Sequence, residues 1–149
     1  MAICGAAVAA QGDSLLTVNA TLTSACAISP TATISFGSFS TLATADQTAD
    51  SGSTFTVACS VDMEPAIFVV GTRTIINGAS SLPFNISLTS GAAADDLPAT
   101  LALAAPLTIV QDGTPKVVPL YARLAQANFK SLPAGAYANG SAVTVSVVY

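Results

Sequence analysis

An all-β domain, a sandwich or a barrel, is what this sequence predicts. Three observations carry the expectation. Short apolar stretches alternate with a period of two, as half-buried strands do. Turn residues separate them at short intervals: Asp50-Ser51-Gly52, Asn77-Gly78, Ser90-Gly91, Asp112-Gly113 and Asn139-Gly140. No stretch carries a convincing amphipathic helical repeat. At 149 residues the chain suits one domain with a real core.

The elements follow in order. "LLTVNATLTSACAI" places Leu16, Val18, Ala20, Leu22 and Cys26 on one face of an extended segment. "ATISFGSF" is a short strand ending near Gly37, and "TLATADQTADSG" is a polar loop of small residues. "STFTVACSV" puts Phe55, Val57 and Cys59 on one face. "PAIFVVGT" is nearly continuous and apolar, and "LPFNISLTS" alternates through Phe84, Ile86 and Leu88. "ATLALAAPLTIVQDG" holds one or two strands broken near Pro106. "KVVPLYARL" is a strand, "AQANFKSLPAGAYANGS" a loop, and "SAVTVSVVY" the last strand. In that strand Val143, Val145, Val147 and Tyr149 share a face, with Thr144 and Ser146 on the other. The total is roughly seven or eight strands.

Composition narrows the function. Over half the residues are hydrophobic, yet no run of about 18 consecutive apolar residues offers a membrane span. The net charge is −4, and Arg73, Lys116, Arg123 and Lys130 are scattered, so there is no basic patch for nucleic acid. Histidine is absent, which removes the commonest general base and the commonest zinc ligand. A serine nucleophile has no histidine partner, and no motif supports pairing with Lys116 or Lys130. Asp95-Asp96 and the pair Asp62 and Glu64 read as solvated loop carboxylates, not as a cation site. We expect no enzyme, no metal and no cofactor.

The start, residues 1–10, reads as the remnant of a secretion signal, with the small residues Ala7-Val8-Ala9-Ala10 suited to cleavage. The plainer alternative is an alanine-rich first strand. Cleavage before Ala10 or Gln11 removes Cys4 and leaves Cys26 and Cys59, an even pair suited to an oxidising compartment. A bridge between them closes a loop of about 34 residues, worth roughly 3–4 kcal/mol in a chain-entropy treatment. The alternative is two buried free thiols.

At this point the sequence resembles the Spore Coat Protein U domain family, which includes the pilins of archaic chaperone–usher pili. Four stretches carry the likeness: "LTVNATLTSACAIS" running into the first cysteine, "FTVACS" around the second, "VPLYARL" followed by a loop to "LPAGAY", and the terminal "AVTVSVVY" ending on an aromatic. "GAAADDLPATLALAAPLTIVQDG" matches least.

The resemblance implies an incomplete immunoglobulin-like β-sandwich lacking its last strand, completed by a donor strand from another chain. Residues 11–25 are then the N-terminal donor segment and 26–149 the pilin domain. Leu16, Val18, Ala20 and Leu22 are the donor residues. Val143, Val145, Val147 and Tyr149 line the acceptor groove and offer the edge a chaperone pairs with. The implied partners are neighbouring pilus subunits, a periplasmic chaperone and an outer-membrane usher. The implied location is the periplasm during assembly and then the cell surface, in adhesion and biofilm formation.

The residues suit that role. At about 1.5–3 kcal/mol for each buried Leu or Val, and less for Ala, the four donor side chains contribute roughly 5–9 kcal/mol. An unfilled groove with a bare strand edge aggregates, which is why such a subunit needs a chaperone. The rival reading is a monomeric secreted β-sandwich that binds carbohydrate or coats a surface. A cluster of exposed aromatics on one face would favour it.

Overall fold

A computed structural model describes residues 17–29, 33–49, 54–91 and 97–149. Residues 1–10, Cys4 and Leu16 lie outside the described residues, as do Asp95 and Asp96. The architecture is all-β and antiparallel, as in an immunoglobulin-like sandwich.

The first layer is built around β3, Thr54–Cys59. Its alternation is realised: Phe55, Val57 and Cys59 are at most 2% exposed, while Thr54, Thr56 and Ala58 face outward. β1, Cys26–Ile28, pairs on one side, with Cys26 opposite Cys59. β9, Lys116–Pro119, pairs on the other, with Phe55 opposite Val118. β2, Gln47–Ala49, precedes β3, and β10, Tyr121–Leu124, follows β9. β2 and β10 pair with each other, and β7, Asn85–Ser87, lies on the far side of β10. Val118, Leu120, Ala122 and Leu124 all reach the core, so one alternation runs through β9 and β10 although Leu120 itself lies outside both strands.

The second layer is built around β4, Ala66–Val70, and β5, Thr74–Asn77. β12, Thr144–Val148, pairs with β4, and β11, Ala138–Asn139, pairs with β5. One register runs through both, from Ala138 opposite Ile76 to Val148 opposite Ala66. The interruption falls at Gly71, whose φ is +119° and whose added Cβ would sit 2.5 Å from the Ala142 carbonyl oxygen. Only glycine accepts both that conformation and that approach. β6, Ser80–Pro83, forms a hairpin with β5, and β8, Ala105–Pro106, lies on the other side of β4. The chain crosses between layers at Phe84, between β6 and β7.

Four stretches depart from the sequence expectation. "TLATADQTADSG", read as a loop, contains β2, whose pairing with β10 makes it a strand. "ATLALAAPLTIVQDG" yields a 3₁₀ turn, Leu101–Leu103, and the two-residue β8, not one or two full strands. Val69 N–H still donates to the Pro98 carbonyl at 2.8 Å, and Leu107 N–H to Pro65 at 2.8 Å, so irregular backbone occupies that side of β4. The loop after β10 contains a single helical turn, α1, Gln126–Phe129. Its start is held by Asp46, which accepts the Gln126 N–H at 2.7 Å and pairs with Arg123. Finally, residues 33–41 carry no strand.

Candidate assembly groove

The core is covered unevenly. A groove of about 1000 Å³, with mixed polar and apolar lining, opens between residues 33–41 and the stretch leading into β12. Ile34, Phe36 and Phe39 line one wall, and Tyr137, Val143 and Val145 line the other. Ile75, Leu82, Phe84, Leu120 and Phe129 form the floor. Several of these belong to the buried core itself, so the groove exposes the interior between the layers.

Residues 33–41 form a wall because two aromatic pairs pin them. Phe36 meets Phe84 edge-on at 6.3 Å, and Phe39 meets Phe129 at 5.0 Å. Ile34 and Phe36 turn inward on even positions, then Phe39 and Thr41 on odd ones. The switch falls after Gly37, whose φ of +64° is left-handed. One extra residue in an extended run flips the facing side chains, as a bulge does.

The opposite wall starts from a closed loop. The Tyr137 hydroxyl donates to the Pro133 carbonyl at 3.0 Å, four residues upstream and just before β11. This resembles the tyrosine corner of immunoglobulin-like sandwiches. Beyond it, β11 and β12 have hydrogen-bonded neighbours on one side only, β5 and β4, among the described residues. The flank away from β4 and β5 has no strand paired to it among those residues.

The residues expected to form the edge are distributed along it. Val143 and Val145 line the groove, and Val143, Val145 and Val147 pack against the core while remaining half-buried. Tyr149 lies beyond β12 and is 59% exposed. The expected donor residues that are described, Val18, Ala20 and Leu22, lie elsewhere. Residues 17–25 carry no strand, Val18 and Leu22 are 79% and 92% exposed, and Ala20 is exposed too. Cys26 and Cys59 are bridged, with Cα atoms 4.1 Å apart. The bridge ties the base of the N-terminal segment to the central strand of the first layer.

Sequence reasoning missed the wall formed by Ile34, Phe36 and Phe39. The aromatic spacing in "ISFGSF" was its signal, read there as an ordinary strand. Among the described residues, no group of three or more His, Cys, Asp or Glu side chains gathers to hold a metal. No helix among them is long and apolar enough to cross a membrane.

Compared with known protein families, residues 13–145 match the Spore Coat Protein U domain. The chain belongs to this family. The match spans β1 through the first part of β12 and so takes in both groove walls. No curated protein matches the chain. Spore Coat Protein U domains are structural, chaperone–usher pilus-type subunits and not enzymes, so the role of this chain is a structural one at a surface.

Proposed function

We propose that this Spore Coat Protein U domain is a pilus subunit that polymerises by donor-strand complementation. One observation carries the reading: a β-edge with a neighbour on one side among the described residues flanks a groove floored by apolar side chains, while an apolar alternating segment stands exposed at the N-terminal side of the same chain. Each feature is costly alone and the two are complementary. Residues 11–25 supply Leu16, Val18, Ala20 and Leu22 to the groove of a second subunit, whose body is residues 26–149. The inserted strand pairs with the edge carrying Val143, Val145, Val147 and Tyr149. Because donor and acceptor are different surfaces, the contact is head-to-tail and open-ended, and it builds a fibre.

A periplasmic chaperone occupies the edge before assembly, an outer-membrane usher directs the exchange, and the filament serves adhesion and biofilm formation at the cell surface. The carbohydrate-binding alternative calls for a cluster of exposed aromatics. Among the described residues, Tyr149 is the one aromatic side chain among the exposed large hydrophobics.

Leu22→Asp tests the reading. It spoils the donor segment and leaves the groove intact, so the variant subunit still binds its chaperone but forms no filaments by electron microscopy. Normal filaments from this variant would remove the donor assignment.

A further inference from the structure

The short β1 ladder ends in an unusual way at both of its ends. The register that sets Cys26 opposite Cys59 continues outward to Ala25 opposite Ser60. In an ordinary antiparallel pair of this kind each residue donates its N–H to the other's carbonyl. Here Ser60 N–H donates to the Ala25 carbonyl at 2.9 Å, as expected. The return bond is different: Ala25 N–H donates to Ser60 Oγ at 3.0 Å, and the Ser60 hydroxyl donates back to the Ala25 carbonyl at 3.1 Å. The serine side chain stands where the strand's carbonyl would be.

The other end repeats the pattern. Ser29 N–H donates to the Thr56 carbonyl at 3.0 Å, and Thr56 N–H donates to Ser29 Oγ at 2.9 Å. A hydroxyl again replaces a strand carbonyl. β1 is therefore three residues long and bracketed by two serine clips.

Each clip satisfies the last N–H of the ladder while freeing the backbone to leave the strand direction. At Ser60 the departure is immediate, since residues 61–62 turn and Asp62 adopts a φ of +68°. No β3 backbone then lies opposite Ser24, and residues 17–24 run on without a strand among the described residues. A regular continuation of the pairing would instead hold Leu22 and its neighbours against their own subunit.

We propose that Ser60 is a positioning residue: its hydroxyl ends the β1–β3 ladder at Ala25 and fixes the point and direction from which the N-terminal segment leaves the body. This rests on the donor reading above, because the departure direction matters for assembly only if residues 11–25 enter another subunit. With the disulfide one residue away, Ala25 becomes the last fixed point before the next subunit. The clip thus sets how successive subunits are oriented. Ser29, the same device leading toward the groove wall, is the internal control.

Two measurements test this, on Ser60→Ala, Ser60→Thr and Ser29→Ala. In the purified full-length subunit, kept in complex with its chaperone if it aggregates alone, Ser60→Ala speeds hydrogen exchange at the Ala25 amide by roughly three- to tenfold, the effect of one modest hydrogen bond, and leaves Ala27 unchanged. Ser60→Thr, which keeps the hydroxyl, restores protection, and Ser29→Ala changes Thr56 instead. In filaments imaged by electron cryomicroscopy, Ser60→Ala assembles at wild-type yield but broadens the distribution of angles between adjacent subunits. Ser60→Thr narrows it again, and Ser29→Ala leaves it unchanged. Unchanged Ala25 exchange in Ser60→Ala overturns the clip, and an unchanged angle distribution overturns its positioning role. If the wild-type chain forms no filaments at all, the donor reading and the positioning role both fail, while the exchange arm still decides the clip.

Discussion

β3 and β12 are built from similar residues and live in different surroundings. "TFTVAC" and "TVSVV" both open with alternating small polar and apolar side chains. β3 has β1 on one side and β9 on the other, and its inward residues are sealed. β12 has β4 on one side only among the described residues, and its valines stop at half-burial, with Val145 lining the groove. Alternation tells which face of a strand meets the core. It does not tell whether the core is closed over that face. The proposed assembly surface lies at the less finished strand.

The largest effect lies in the sealed strand. Phe55 is 1% exposed, so Phe55→Ala should cost about 3–5 kcal/mol through lost burial and a residual cavity. Urea unfolding measures it, and a loss under about 1 kcal/mol would mean that β3 is not the closed centre of the fold.

Gly71→Ala comes next. The strained φ and the collision with the Ala142 carbonyl should cost about 1–3 kcal/mol and displace residues 141–143 at the head of β12. Thermal unfolding reports the cost, and chaperone capture reports the damaged edge. A variant as stable and as readily captured as wild type would show that the edge tolerates a shift.

Val145→Ala sharpens the contrast most directly. In the isolated subunit a half-buried valine loses only about 1 kcal/mol on truncation. Within a filament the same change should cost more, because an inserted strand would complete its burial. Comparing the unfolding of the free and assembled subunits gives the difference, and equal costs would argue against insertion beside Val145.

The smallest effect is electrostatic and far from either strand's centre. The Gln126 N–H, and then Arg123, hold the Asp46 carboxyl below its usual 3.8. A carboxyl with a lowered folded pKa adds stability that is complete above the unfolded value and fades as pH falls through the folded one. The gap in thermal midpoint between wild type and Asp46→Asn should therefore be steady near neutrality and shrink below about pH 4. Asp46 is exposed, so the gap is small. A gap that widens with acid would contradict the pairing.

Much of the fold was legible in the residues. Phe55, Val57 and Cys59 announced the sealed face of β3 through simple alternation, and the cysteine count pointed to the bridge that joins β1 to β3. The apolar face of β12 was legible too. The segment around Leu101 was not, because leucines and alanines in a strand-like rhythm carry no record of their backbone partners. Leu101 and Leu103 end 59% and 71% exposed on a 3₁₀ turn. Pro98 and Pro106 cannot donate to a ladder, and that limits pairing on both sides of the turn. Phe36 and Phe39 were visible as apolar residues, but the parity switch at Gly37 depends on a backbone angle that no alternation rule contains. The Ser29 and Ser60 clips were hidden for a similar reason, since serine is ordinary in a sequence and acquires meaning only opposite a particular N–H.

The Cys26–Cys59 bridge has a mechanical consequence. Tension on residues 17–24 reaches the body first at Ala25 and Cys26. Hydrogen bonds along a three-residue strand would unzip under such a pull one pair at a time. The covalent link instead delivers the load to β3, the strand held from both sides, and spreads it across the whole first layer. Stretching such a chain therefore strains its best-supported strand before it can peel away the short β1.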